Sequence, residues 1–524
     1  MGADQGVLIA GAGEPPVEGA AESAVVAPAA RPAPTPRPRW KPVDRQQICL
    51  RVVDTDALVE KDHPVRALWH LLGELNLSAF ATGVKAVEGR PGRDRSDPRV
   101  LIALWLYALS RGVREARALD EWSRYEPGCQ WLLGLGHINY HTLSDFVTAH
   151  GAALDALFVE LVQVLMKRGL VNLEQVAHDG TKIQAQASRG SFKREATLAA
   201  CRAQAEAHLA ALDEELAKET RAAQRQAQRR AAKEYAERLR AAQEELQRLQ
   251  AEKSAAEQAQ VRVSLSDPEA RNMRQADGGF APSYNAQLSA DNTAAVIVAY
   301  ATTQAQEDSH ELAAALERVK QNTGRAPQQV LVDGGYTTRQ NILDTATGDT
   351  ELIGSLGEDR SQSKQRRHGV SPEFFSERFV FDAEQNHFTC PAGKILTYKN
   401  SKKVVGATEK QYRAKASDCP ACPFRAQCCP QTSKQGRLVM RTEEAPQVAA
   451  FRAKMQRPEY RALYRQRAQV AEFANACLKE KRGLRKFLRR GLQKVRAELA
   501  WACLACNVAV WIRQVWKVSL QPAT

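Results

Sequence analysis

A long stretch from Ser191 to Asp267 contains neither glycine nor proline, and it constrains the fold more than any other part of the chain. It consists mostly of Ala, Glu, Gln, Lys and Arg, a composition that favours helix. Its two leucine ladders do not share one heptad register, so two antiparallel helices fit better than one continuous coiled coil. The sequence predicts a long helical insertion at 191–267, which could serve dimerisation or DNA bridging, or merely extend from the body.

The charge balance indicates the kind of partner. The 524 residues include 74 Lys and Arg against 60 Asp and Glu, a net charge of +14, which favours a polyanionic partner, nucleic acid first. No run of eighteen apolar residues occurs, so we expect no transmembrane helix and no membrane partner. The cysteine pattern favours a reducing cytoplasm over a secreted, disulfide-bonded scaffold.

The first 170 residues divide into two regions. Residues 1–44 are rich in Ala and Pro and predict a disordered tail. Residues 45–170 predict a helical region that includes a buried helix at 100–112. A turn at 139–146 leads into a helix that Thr142 or Ser144 could cap. A helix-turn-helix DNA reader and an ordinary helical bundle both fit this pattern.

Two aspartates follow short apolar runs. Residues 171–177 predict a strand that delivers Asp179, with a turn at Gly180 and a second extended run after it. Residues 328–332 predict a buried strand that delivers Asp333, followed by two glycines. Asp beside Gly is also a common turn former, so that interpretation stays open.

The intervening elements predict an α/β fold. Residues 284–290 and 294–303 predict a hairpin of two strands that turns at 291–292, a helix is expected at 309–322, and 351–356 predict a further strand. Asp308 is the main competitor for an acidic role in the site, but its place at the start of that helix is better explained as an N-cap. A mixed sheet flanked by helices could bring the two strand-borne aspartates together with an acid on a later helix.

A C-terminal helix supplies that acid. Glu472 and Lys479 lie seven residues apart on one helical face, opposite an apolar stripe that includes Val470 and Ala474. From Lys479 to Arg496 the chain has nine Lys or Arg and a single acid, Glu480. This pattern suits a site that acts on a phosphate backbone, although a solvated Glu–Lys pair would also explain the helix.

Three motifs, taken in order, resemble a known family: His178-Asp179-Gly180-Thr181-Lys182, Val332-Asp333-Gly334-Gly335-Tyr336, and Tyr464-x2-Arg467-x4-Glu472-x6-Lys479. They resemble the signatures of bacterial insertion-sequence transposases of the DDE superfamily, of the type with a Cys-bearing insertion before the catalytic Glu. The Arg-to-Glu interval is one residue longer than the commonest form. The resemblance covers roughly residues 45 to 515 and extends to Arg490-Gly491, Glu498 and Asn507.

The resemblance implies a fold and its division. We expect an RNase H-like mixed sheet flanked by helices, preceded by an α-helical DNA-binding domain at 45–170. The remaining divisions are the first part of the catalytic core at 171–362, a Cys-rich insertion at 363–450, catalytic helices at 451–516 and a tail at 517–524.

The resemblance also implies a chemistry. Asp179, Asp333 and Glu472 would hold Mg²⁺ or Mn²⁺ for cleavage of transposon ends and joining of the 3′-OH to target DNA. The side chains implied to contact DNA are Lys479, Arg467, Tyr464, Arg485, Arg489 and Arg490. The enzyme would act as a homodimer or larger assembly on DNA, in the bacterial cytoplasm at the nucleoid. An RNase H-like nuclease that does not join, and a catalytically inactive DNA-binding or bridging protein, remain alternatives.

A cysteine segment predicts a second metal site. Four thiols with CxxC spacing suit a tetrahedral, structural Zn²⁺: Cys390, Cys419, Cys422 and Cys428. Cys429 or His387 could replace one of them, and free thiols in a reducing cell would also explain the segment. Cys503 and Cys506 lie on an apolar helix, where core packing explains them better.

Overall fold

The chain is a mixed α/β protein, as the sequence predicts. A computed structural model describes residues 46, 48, 52–82, 95–218, 223–355, 361–430 and 435–519. The predicted tail at 1–44 lies outside the described residues, as does 520–524 of the predicted C-terminal tail. The chain divides into two units, Met1–Val52 and Val53–Thr524, and the second contains every helix and strand given below.

The α-helices, in chain order, are α1 (Pro64–Glu74), α2 (Pro98–Ser110), α3 (Ala116–Ser123), α4 (Pro127–Leu133), α5 (Tyr140–Ala149), α6 (Gly151–Lys167), α7 (Glu195–Lys218), α8 (Ala223–Ala251), α9 (Ala255–Gln258), α10 (Leu312–Thr323), α11 (Arg339–Ala346), α12 (Ser361–Arg367), α13 (Arg425–Cys428), α14 (Pro446–Gln456), α15 (Pro458–Ala476), α16 (Leu492–Trp511) and α17 (Lys517–Ser519). Two π-helical segments extend α15 and α16: Cys477–Lys481 and Ile512–Trp516.

The strands are β1 (Gln175–Gln184), β2 (Phe192–Lys193), β3 (Val263–Ser264), β4 (Arg271–Arg274), β5 (Phe280–Asp291), β6 (Ile297–Thr303), β7 (Gln329–Val332), β8 (Glu351–Gly354), β9 (Val380–Asp382), β10 (His387–Thr389), β11 (Ile395–Val404), β12 (Ala407–Ala414) and β13 (Leu438–Glu444).

The central sheet is built around β1. This strand pairs antiparallel with β5 on one side and parallel with β7 on the other, and β7 pairs parallel with β8. The other edge of β5 pairs antiparallel with both β4 and β6. The predicted hairpin is confirmed, because β5 and β6 pair across the turn that follows Asp291. The mixture of parallel and antiparallel pairs is consistent with the expected RNase H-like sheet.

The N-terminal helices share one hydrophobic core with this sheet. Buried side chains of α1, α2, α5 and α6 pack in the same cluster as those of β1, β5, β6 and α16. Helix α2 is buried along most of its length, which agrees with its nearly continuous apolar sequence. The predicted division at residue 170 therefore does not separate two cores. The cap of α5 is Asn139, whose side chain accepts from the backbone N–H of Thr142, so the predicted cap at Thr142 or Ser144 is wrong.

The predicted helical insertion is confirmed as two antiparallel helices. Arg202 in the first half of α7 contacts Gln243 in the second half of α8, and Asp213 near the end of α7 pairs with Arg229 near the start of α8. The hairpin has a small apolar core of its own, which includes Leu198, Leu239 and Leu246. Strands β2 and β3 pair at its base, where the chain leaves and re-enters the central unit.

The Cys-bearing region forms a second sheet. Its five strands, β9 to β13, pair antiparallel in chain order. A backbone hydrogen bond links the turn between β11 and β12 to the start of α14. The N–H of Ala445, just before α14, donates to the carbonyl oxygen of Gly406. The sheet has its own apolar cluster, around Leu396, Tyr412 and Val439.

Helix α16 and its π-helical extension, Leu492–Trp516, are long and apolar enough to cross a membrane by length and composition. Inside the protein, 83% of its most apolar window is buried. Helices α5 and α6 pass the same test only as a pair, and they meet at a bend of 73°. Packing against the common core accounts for the apolar composition of α16, because its buried side chains belong to that core.

Candidate active site

Asp179 and Asp333 lie side by side because of the register of two parallel strands. Ala177 on β1 pairs with Leu331 on β7, and each strand carries its aspartate two residues further along. Neighbouring strands lie about 5 Å apart, so the two aspartates lie next to each other in the sheet. The sequence predicted an Asp on each strand but had no means of fixing their relative register.

The predicted turn at Gly180 is wrong. Strand β1 continues from Gln175 to Gln184 without interruption, with Asp179 and Gly180 in its middle. A side chain at position 180 would meet the Asp308 carboxylate and the Gln287 amide at 2.5 Å. A larger residue here would have to displace these side chains, so close packing across the sheet favours glycine.

Burial makes the Asp179 carboxylate unfavourable as an isolated anion. Its pKa is raised by removal from water and further by the negative charge of Asp333, while the charge of Arg467 acts in the opposite direction. The Asp333 side chain accepts from the N–H of Gly335 at 2.8 Å, so the turn-forming role considered for this residue is present beside its place in the site. A divalent cation between the two carboxylates would relieve their repulsion.

Helix α15 covers Asp179 with two side chains. Asn475 Nδ2 donates to Asp179 Oδ2 at 2.8 Å, and Arg467 Nη1 lies 3.8 Å from Asp179 Oδ1. Lys479 lies in the π-helical extension of α15. Burial lowers the pKa of its ammonium group, and the nearby negative charge of Asp179 acts in the opposite direction. Tyr464 packs partly buried against the cluster of β7 and β8, with the Arg467 guanidinium 6.0 Å from its ring centre.

Glu472 lies on α15 one turn before Asn475, with its side chain exposed. Positions three apart are neighbours on a helix surface, so the backbone of Glu472 lies on the part of the helix that meets β1. Among the described residues, no three His, Cys, Asp or Glu side chains stand close enough together to hold a metal ion. The structure brings two of the three predicted carboxylates together and leaves the third turned to solvent.

The other face of β1 rests on a buried polar network that the sequence analysis missed. His178 contacts Ser289 and Gln287, each at 2.9 Å, and Tyr336 donates to Gln287 at 2.6 Å. Removal from water lowers the pKa of His178 to about 4, so it is neutral at physiological pH. A signal was available in β5, where polar residues alternate with apolar ones: Ser283, Asn285, Gln287, Ser289 and Asp291.

Asp308 belongs to this network, and its predicted role as a helix cap is wrong. Helix α10 begins at Leu312, and its N-cap position is Glu311, which makes no side-chain cap. The Asp308 carboxylate instead accepts from Lys182 at 3.0 Å, from Asn285 at 2.6 Å and from Gln287 at 2.8 Å. Asp308 thus supports β1 beneath the two site aspartates.

The basic run after Lys479 is partly structural. Glu498 of α16 pairs with Arg114 at 2.5 Å and accepts from the backbone N–H groups of Leu488 and Arg489. The Arg489 side chain is 15% exposed and lies 3.6 Å from Glu498, so it has a structural partner, and its DNA contact stays a prediction.

Two further arginines that the resemblance assigned to DNA, Arg485 and Arg490, are exposed. Arg485 pairs with Glu480 at the surface, and Arg490 donates to the carbonyl oxygen of Gln186 at 3.1 Å. The backbone beside them is held against the end of β1, since Gln184 exchanges hydrogen bonds with Arg485 and Phe487.

The cysteines of the second sheet line one apolar cavity of about 30 Å³: Cys390, Cys419, Cys422, Cys428 and Cys429. Backbone N–H groups of Lys394 and Arg437 donate to the sulfurs of Cys390 and Cys419, at 3.3 and 3.4 Å. These thiols do not meet as a metal-holding group in the described part of the chain. Elsewhere, Cys506 forms a disulfide with Cys477, whereas core packing alone was predicted for it.

The candidate site thus consists of two adjacent aspartates on a mixed sheet, covered by α15. Residues 389–512 match the family model described as a transposase DDE domain. The matched region contains Glu472, the cysteine segment and α16, and it excludes Asp179 and Asp333. No curated protein matches the chain. The family match supports a DDE transposase.

Proposed function

We propose that the protein is a transposase that cleaves the ends of its element and joins each 3′-OH to target DNA. The observation that carries this proposal is the juxtaposition of Asp179 and Asp333 beneath α15, the helix that bears Glu472. The two aspartates lie outside the matched region and α15 lies within it, so the pairing of Asp179 with Asp333 supports the proposal independently of the family match.

The residues fit a hard divalent cation. Asp179 and Asp333 offer carboxylate oxygens on neighbouring strands, and Mg²⁺ prefers oxygen ligands and retains several waters. Two such ions stabilise the attacking and leaving oxygens of a phosphodiester exchange when bound. Asp179 and Asp333 would hold the cations, and Glu472 would complete the site when its side chain turns inward from the exposed face of α15.

Cationic side chains around the carboxylates would position the DNA backbone. Lys479 lies on the Asp179 side of the helix, and exposed Arg485 and Arg490 lie on the segment held against the end of β1. Arg467 faces Asp179, and we propose that it pairs with a phosphate when substrate is bound. Tyr464 would position the DNA end beside Arg467, although its packing also explains it as a structural residue.

The reaction is tested with labelled duplexes of the DNA ends that flank the gene for this chain. We expect the wild type with Mg²⁺ to release a 3′-OH and to join it to a target plasmid. Glu472→Gln should lose both steps while DNA binding persists. Glu480→Gln is the matched control, because Glu480 is an exposed carboxylate on the same helical run that pairs only with Arg485 among the described residues.

The outcomes separate the alternatives. Cleavage without joining would favour the RNase H-like nuclease. Tight binding with no cleavage by the wild type would favour a DNA-bridging protein that has lost catalysis. Full activity of Glu472→Gln would remove Glu472 from the site.

We also propose that Cys390, Cys419, Cys422 and Cys428 bind a structural Zn²⁺. The shared cavity and the two N–H···S contacts support this proposal, because such contacts stabilise thiolate, the form that binds zinc. Purified protein should contain about one zinc per chain by elemental analysis. Cys422→Ser should lose the metal, whereas Cys201→Ser, on the distant hairpin, should retain it; equal zinc content in both variants would contradict the proposal.

A further inference from the structure

Asn475 lies within the third motif, at a position between Glu472 and Lys479 that the motif leaves unspecified. It lies three residues after Glu472 on α15 and reaches across to β1, where its amide Nδ2 donates to Asp179 Oδ2. This side-chain bond joins elements that are almost three hundred residues apart in sequence. It fixes the rotation of the Asp179 carboxylate, because one of the two oxygens is committed to the amide.

The other half of the same amide is buried without a partner. Asn475 Oδ1 is shielded from solvent and accepts no hydrogen bond within the described protein, and Arg467 Nη1 on the same helix face is also shielded without one. Leaving a buried amide oxygen unsatisfied costs about 1–3 kcal/mol. A polar group that is placed in this way beside two carboxylates points to a ligand that brings hydrogen-bond donors.

We propose that Asn475 is a positioning residue of the cation site, and this inference rests on the proposed function. Its N–H group holds Asp179 Oδ2, so Asp179 Oδ1, which lies 3.8 Å from Arg467 Nη1, would be the oxygen available to a cation. Its Oδ1 accepts a hydrogen bond from a cation-bound water. This second role follows from the chemistry of Mg²⁺, which keeps several waters that need acceptors.

The physical reason for such a residue is the poor solvation of Asp179. The Asp179 side chain is only 22% exposed, and the hydrogen bond that Asn475 donates to it stabilises its charged form. Groups that orient ligands typically contribute about 10–100-fold to metal affinity. Asn475 is therefore expected to affect cation binding before it affects any later step.

The test measures Mn²⁺ binding to the full chain by electron paramagnetic resonance of the free ion, without DNA. Asn475→Leu keeps nearly the same volume and removes both polar atoms, and it should weaken Mn²⁺ binding about 10-fold or more. Asn475→Ala is the second variant, because it cannot overpack the contact. Gln469→Leu is the matched control, since it removes an exposed amide from the same helix.

Asp179→Asn separates the two levels of the proposal. If Asp179→Asn loses Mn²⁺ and both Asn475 variants bind it as tightly as the wild type, the role of Asn475 is overturned and the cation site stands. If Asp179→Asn binds as the wild type does, or the wild type binds no Mn²⁺ at millimolar concentration, the cation site and the role of Asn475 fail together.

A kinetic measurement distinguishes positioning from simple packing. For Asn475→Leu, the Mg²⁺ concentration that gives half-maximal cleavage should rise about 10-fold, with most of the rate restored at saturating Mg²⁺. A fall in rate that Mg²⁺ does not restore, with unchanged half-saturation, would indicate a packing defect and overturn the proposal.

Discussion

Gly180 shows how closely the site is packed at the scale of one residue. It follows Asp179 directly in β1, and a Cβ there would meet Asp308, Gln287 and the Tyr336 hydroxyl within 2.8 Å. These three groups belong to the buried polar network that supports the strand. The network therefore sets the position of the strand on which Asp179 sits.

We expect Gly180→Ala to disturb both stability and activity. The added methyl group must displace hydrogen-bonded side chains, at a cost of about 1–3 kcal/mol in the free energy of unfolding. Thermal unfolding and DNA cleavage measure the two effects. Gly151→Ala is the control, because nothing lies within 4 Å of its Cβ position. Equal melting temperatures for the two variants would show that the side chains of the network move aside at little cost, and would contradict the prediction.

At the scale of elements, the basic segment between α15 and α16 is held in place by α16. The Glu498 side chain, 7% exposed, pairs with Arg114 and accepts from two backbone N–H groups of the segment. Arg114 also donates to the carbonyl oxygens of Gly483 and Lys486. One buried carboxylate thus connects the N-terminal helices, the basic segment and the last long helix.

Glu498→Gln should be strongly destabilising. It removes one member of a buried ion pair and leaves the Arg114 charge without its partner, which typically costs about 3–5 kcal/mol. Glu480→Gln removes one partner of an exposed pair and should cost less than about 1 kcal/mol. Thermal unfolding of the two variants at low and high salt tests the contrast, and similar shifts for both would contradict it.

At the scale of the whole molecule, the α7–α8 hairpin is a separable part. Its apolar side chains form their own cluster, distinct from the core that α16 shares with the sheet. Strands β2 and β3 bring the two ends of the hairpin together at its base. The core therefore does not depend on the hairpin for the burial of its apolar surface.

We expect replacement of residues 195–258 by a short glycine-rich linker to leave a folded protein. The cost should be limited to local contacts, such as the pair of Arg271 with Glu245. Circular dichroism and size-exclusion chromatography would check the fold. Deletion of residues 53–112, which removes part of the shared core, should instead give unfolded or aggregated protein, and equal loss of structure in both deletions would refute separability.

Sequence alone determined the features that depend on neighbouring residues. The absence of glycine and proline in 191–267 predicted helix, the two leucine ladders out of register predicted a pair of helices, and apolar runs located the strands that lead to Asp179 and Asp333. Composition and periodicity act over a few residues, so they report local structure directly. They predicted which elements carry the acidic residues. The family resemblance then led to the hypothesis that these residues act in DNA cleavage and joining.

Tertiary structure alone decided which of these residues meet. The pairing of β1 with β7 aligns two aspartates that are far apart in the chain, and the packing of α15 places Asn475 on Asp179. Packing likewise made Gly180 a mid-strand residue and turned Arg489 towards Glu498. The physical reason is that register, close approach and the burial of charge are set by contacts between distant segments, which no local pattern encodes.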